Sequence, residues 1–154
     1  MSGARFVPNE AGFREFKKAL ATAVFKAGWA IEGAAKAITP VHGDPSQGGR
    51  FATFAPGAKP IGGTLRRSVH SVVHVDGQRI GSSAEAGARP LAAPTGRGIE
   101  VHVGTNLEYA PYVHDGTVKM PARPFLAEAA MEVAPRIPGI IQAALPPGWT
   151  VRRR

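Results

Sequence analysis

The chain has 154 residues, 44% of them apolar, and no cysteine. That length suits one domain burying about 68 to 70% of its unfolded surface, and the missing thiols exclude disulfides, thiolate metal sites and cysteine nucleophiles. Nineteen basic against eleven acidic residues give a net charge of +8, which favours polyanions or acidic partner surfaces, and no run approaches the roughly 18 apolar residues of a membrane span.

Asn9 is placed to cap a helix, with Glu10 in its first turn. Phe13, Phe16, Leu20, Val24, Phe25, Ala27, Ile31, Ala34, Ala35 and Ile38 recur at three- and four-residue steps. Arg14, Lys17, Lys18, Lys26, Glu32 and Lys36 fall largely elsewhere, so the spacing predicts one amphipathic helix of about seven turns. Thr39-Pro40 ends it, because the residue before proline is pushed out of the helical region. Residues 39–63 then read as a Gly/Pro-rich loop or arm, with Phe51 and Phe54 as its candidate anchors on a neighbouring subunit.

Thr64 to Val75 alternates, predicting a strand with Leu65, Val69, Val73 and Val75 on one face. Ser68, His70, Val72 and His74 take the other, where the histidines are expected to be solvated or to face an interface. Asp76-Gly77 signals a hairpin turn, with Arg79 to Ser82 opening the return strand. A second extended loop covers 83–98. Ile99, Val101 and Val103 alternate with Glu100 and His102 in a half-buried strand, so the sheet is expected to be short and antiparallel. Pro121 and Pro124 precede a helix through Phe125, Leu126, Ala129, Ala130 and Val133. Pro135 and Pro138 stop or kink it near Ala134, and it restarts through Ile140, Ile141 and Ala144. Pro146-Pro147-Gly148 ends regular structure, leaving 149–154 as a basic tail behind one domain of residues 1–148.

Catalytic chemistry has no strong signature. His70 and His74 share a helical i, i+4 spacing, but in a strand they stand about 13 Å apart and cannot chelate one ion. Ser68, Ser71, Ser82 and Ser83 lack a GxSxG turn, and the short glycine turns lack the GxxxxGK[ST] pattern that cradles phosphates. No catalytic, cofactor or metal residue is therefore assigned. Arg66 and Arg67 are candidates for non-specific contact with a DNA backbone.

The segment from Gly104 to Leu126 is the densest in turn residues, aromatics and prolines, and reads as a rigid aromatic connector from a strand into a helix. Tyr109 and Tyr112 combine apolar rings with hydroxyls, a type enriched at interfaces, while Phe125 and Leu126 are expected to plug the core. His114 and Asp115 complete the candidate interface set.

Several segments agree in order and spacing with one family. They are Thr39-Pro40-Val41, Gly63-Thr64-Leu65-Arg66-Arg67-Ser68, Val103-Gly104-Thr105, Tyr109-Ala110-Pro111-Tyr112-Val113, Gly116-Thr117 and Pro121-Ala122-Arg123-Pro124-Phe125-Leu126. Together, over roughly Phe13 to Ala144, they resemble the neck and tail-completion proteins that join heads to tails in long-tailed bacteriophages. Two departures stand out: His42 to Gly62 separates elements that are nearly adjacent in the family, and His114-Asp115 replaces its carboxylate-aromatic pair. The resemblance implies a structural virion protein at the head-tail junction, present in the host cytoplasm during assembly, with no enzymatic activity. It further implies a homo-oligomeric ring around the DNA channel, six-fold or, nearer the portal, twelve-fold. The implied neighbours are connector or head-closure proteins and tail-tube or tail-terminator proteins. The alternative class is a small basic nucleic-acid-binding or nuclease protein. The expected fold is α+β: a long N-terminal helix and a C-terminal helix on a small, twisted antiparallel sheet.

Overall fold

The computed structural model describes residues 9–39, 63–84, 91, 94–119 and 121–148. Phe51, Phe54, most of the 39–63 segment, half of the 83–98 segment and the 149–154 tail lie outside the described residues.

Helix α1 runs from Glu10 to Ile38. Asn9 caps it, its Oδ1 accepting the Gly12 N–H at 3.0 Å. At the other end Thr39 is buried, and both its N–H (2.8 Å) and its hydroxyl (2.5 Å) donate to the Ala35 carbonyl. Thr39 thus closes the last turn on its own helical partner, and Pro40, lacking an N–H, has nothing to donate to the Lys36 carbonyl.

The burial of α1 is two-sided. At 3.6 residues per turn, buried Ala21, Gly28, Glu32 and Ala35 fall on one side, whereas buried Ala23 and Ala27, with half-buried Ile31, Ala34 and Ile38, fall towards the other. The first side meets the sheet: Gly28 lies against Val101 and Ser71, and Phe25 packs over Gly81. The second belongs with the C-terminal helices, since Ile31, Ala34 and Ile38 share a cluster with Phe125 and Ala129. Small residues allow both neighbours to approach closely. Phe13, placed in the apolar series by its spacing, is exposed, and Glu32, placed among the polar residues, is buried.

The expected strand over Thr64–Val75 is shorter than its alternation predicts. Thr64–Ser68 forms one helical turn, α2, and β1 covers only His70–Val75. Leu65 and Val69 are four residues apart, a spacing that suits either period. Gly63 decides the outcome: at φ 81° it turns the chain, and its carbonyl accepts the Arg67 N–H at 2.8 Å.

Strand β1 pairs antiparallel with β2 (Gln78–Ser82) and with β3 (Ile99–Gly104), giving the order β2-β1-β3. Asp76 (φ 48°) and Gly77 (φ 80°) build the hairpin turn with both φ positive, the geometry that matches strand twist. A bulge follows between Val73 and His74. Being central, β1 is buried on both faces, so His70 and His74 are enclosed rather than solvated. The ring of His74 meets that of His102 edge-on at 5.4 Å.

Downstream, α3 (Ala110–Asp115) leads through a loop to α4 (Phe125–Val133). A 3-10 turn at Ala134–Arg136 then joins α4 to α5 (Ile137–Ala144), where Pro135 and Pro138 forbid a continuous helix. Helix α1 packs on β1 and β3, and α4 and α5 pack on α1. The architecture is the expected α+β arrangement, with α1 as its middle layer.

Candidate functional site

Three motifs far apart in sequence meet at one end of the sheet. Arg66 of α2 donates from Nη2 to the Thr39 carbonyl at 3.3 Å. Ser68 shares a 2.6 Å hydroxyl–hydroxyl hydrogen bond with Thr105, just past β3, and His70 pairs in register with Gly104. The Thr-Pro, Gly-x-Leu-Arg-x-Ser and Gly-Thr elements are thus one hydrogen-bonded junction, which explains their residue types without catalysis. Arg66 is half-buried and Arg67 exposed. Both stand on the helical turn α2, not in the strand expected over Thr64–Val75.

Within the expected aromatic connector, Ala110–Asp115 is a short helix with Tyr109 at its N-cap. Ala110 is buried beneath it, while Tyr109 and Tyr112 stay exposed at 44% and 62%. The Arg123 N–H returns to the carbonyls of Val113 (3.0 Å) and His114 (3.1 Å), closing the end of α3. Gly116 permits this reversal at φ 80°. His114 Nδ1 donates to Asp115 Oδ1 at 2.7 Å, and its ring meets Phe125 edge-on at 5.5 Å. Phe125 is 1% exposed. It anchors a cluster with Leu65, Val69, Ala110 and Ala129, against which Leu126 packs, so the expected plug is in place. A cavity of about 250 Å³ lies between α3 and α4, lined by Thr105, Pro111, His114 and Leu126 among others. The two tyrosines therefore project from a turn whose underside is locked to the core.

Glu32 is the feature that sequence reasoning missed. Its carboxylate accepts from the Ser71 hydroxyl at 2.8 Å, from the Ser83 hydroxyl, and from Lys36 at 2.5 Å. Burial raises its pKa, but the hydrogen bonds from Lys36, Ser83 and Ser71 and the Lys36 charge outweigh that and leave it below 4.5. Ser71 and Ser83 are accordingly structural ligands of a buried carboxylate, and their backbones pair as well, Ser83 N–H donating to the Ser71 carbonyl at 2.9 Å. A serine at the centre of a strand facing a helix glutamate was the available signal.

Among the described residues no group of three His, Cys, Asp or Glu side chains is arranged to hold a metal ion. Among the described residues no helix is long and apolar enough to cross a membrane. Comparison with family models, curated proteins and solved structures finds no match to this chain.

Proposed function

We propose that the chain is a structural subunit of the neck of a long-tailed bacteriophage, joining the DNA-filled head to the tail without catalysing a reaction. The observation that carries the reading is the exposed Tyr109/Tyr112 pair on a turn fixed to the core through Ala110 and Phe125. Exposed tyrosines on a rigid base lose little entropy on docking and bury a large amphipathic surface. The motif order that resembles the neck family runs through this same segment. Phe13, Trp29, Ile80, Val118 and Met131 are exposed as well.

Copies of the chain would form a ring through a heterologous interface that closes by rotation, six-fold in the favoured arrangement and twelve-fold otherwise. Connector or head-closure proteins would lie on one side and tail-tube or tail-terminator proteins on the other. Basic residues including Arg66 and Arg67 would then contact passing DNA without reading its sequence.

Deleting the gene from the phage that encodes it, followed by electron microscopy, is the test. Separate heads and tails are expected, and normal joined particles would overturn the reading. Complementation with Y109A/Y112A should fail to restore joining although the purified variant folds normally. Metal-dependent DNA cleavage by the purified protein, lost in H114A or D115A, would instead mark a nuclease.

A further inference from the structure

The end of the sheet holds a second cavity, enclosed in part by the two adjacent arginines of α2. It has a volume of about 460 Å³, and Lys36, Arg66, Arg67, Ser68, His70 and Asn106 contribute to its lining. No carboxylate is among its described lining residues. Lys36 is paired with Glu32 at 2.5 Å, which offsets one charge. Arg66 and Arg67 form no salt bridge among the described residues, leaving two guanidinium charges unmatched on adjacent positions.

Two buried polar atoms here also lack partners. Arg66 spends Nη2 on the Thr39 carbonyl, yet its Nε is enclosed without a hydrogen bond. His70 is 4% exposed. Its Nδ1 lies 2.8 Å from the Ser68 carbonyl, which can only accept, so Nδ1 carries the proton. Its Nε2 is buried, unpartnered and therefore an acceptor, which an oxyanion edge leaves unsatisfied and only a P–OH group can serve. Enclosed polar atoms without partners are costly, and a folded chain tolerates them chiefly where something else satisfies them.

We propose that this cavity binds a phosphate dianion, either free or as the terminal group of a small phosphomonoester. Charge selects the class. A phosphomonoester carries about −1.5 to −2 at neutral pH, matching two unpaired guanidinium groups, whereas a carboxylate or a backbone phosphodiester carries one charge. Geometry agrees, because the guanidinium fork suits oxyanion edges and a neighbouring ammonium supplies a further donor. The volume exceeds that of a phosphate group and falls within the range of small-ligand sites, so a modest organic group can accompany it. The site does not rest on the neck assignment, but it gives Arg66 and Arg67 a small phosphate in place of the DNA backbone, and the oligonucleotide arm of the test separates the two.

The test titrates inorganic phosphate into the isotope-labelled full-length protein, followed by NMR at constant ionic strength, with chloride as the matched control. Saturable shifts at the amides of Ser68 to His70 are expected. Arg67 is exposed, so R67Q should keep the wild-type melting temperature while weakening phosphate binding about tenfold, the value of one charge-assisted contact. R66Q should weaken it at least as much. Adenosine monophosphate competing with phosphate, where adenosine does not, identifies a phosphomonoester as the source, and phosphate binding alone identifies the free anion. The proposal is overturned by shifts that chloride reproduces, by unchanged affinity in R67Q and R66Q, by acetate binding as tightly as phosphate, or by displacement with an oligonucleotide lacking terminal phosphates.

Discussion

Glu32 shows how a single residue can depend on its surroundings for its role. On a helical wheel it sits with lysines and arginines, and nothing in α1 alone says that a strand serine will face it. Because its folded pKa lies below 4.5, the carboxylate stabilises the fold above that pH and the contribution fades as pH falls through the lowered value. E32Q should therefore cost about 2 kcal/mol at pH 7, the scale of a hydrogen bond to a buried charge. The gap from wild type should narrow below pH 4.5 in urea melts. Two glycines of the same helix make a sharper residue-scale test. A Cβ on Gly33 meets nothing within 4 Å, so G33A should stabilise by roughly 0.5–1 kcal/mol through helix propensity. A Cβ on Gly28 would come within 2.5 Å of Val101 Cγ2. The propensity gain there, about 1 kcal/mol, is opposed by overpacking of about 1–3 kcal/mol against a stiff β-branched side chain. G28A is expected to lower the melting temperature and G33A to raise it.

At the scale of elements, legibility followed the strength of the local signal. The Asn9 cap, the Asp76-Gly77 hairpin and the interruption at Pro135 and Pro138 depend on backbone chemistry within a few residues, and each appears where that chemistry places it. G77A should cost about 1–2 kcal/mol because an L-residue is strained at φ 80°, while the nearest atom to its new Cβ, Gly96 Cα at 3.5 Å, makes only ordinary contact. The turn is also tied to α1, where Lys17 hydrogen-bonds Asp76 and, with the Gly98 N–H, holds the Asp76 carboxyl below its usual range. Thr64–Ser68 was illegible for the complementary reason: with Leu65 and Val69 serving both periods, a left-handed Gly63 had the deciding vote. Ala110–Asp115 is held as a helix because Ala110 packs into the cluster of Ala35, Leu65 and Phe125 and Arg123 closes its end, partners that lie outside the segment.

For the whole molecule, the cluster around Phe125 unites α1, α2, α3 and α4. F125A should remove about 3–5 kcal/mol, a large share of the roughly 5–15 kcal/mol typical of a domain, and shift the urea midpoint accordingly. Changing Tyr109 and Tyr112 should leave that midpoint unmoved, which separates folding from the proposed joining role. Composition, periodicity and turn chemistry by themselves determined the α+β class, the span of the long helix, the antiparallel pairing and the proline-broken C-terminus. These follow from near-neighbour sterics and from apolar spacing along the chain. Only the tertiary structure decided that α1 is sandwiched, that Glu32, His70 and His74 are buried, and that Arg66, Ser68, Thr39 and Thr105 form one junction beside a basic cavity. Those outcomes depend on which surfaces meet across long stretches of chain, and no local pattern encodes the far side of such a contact.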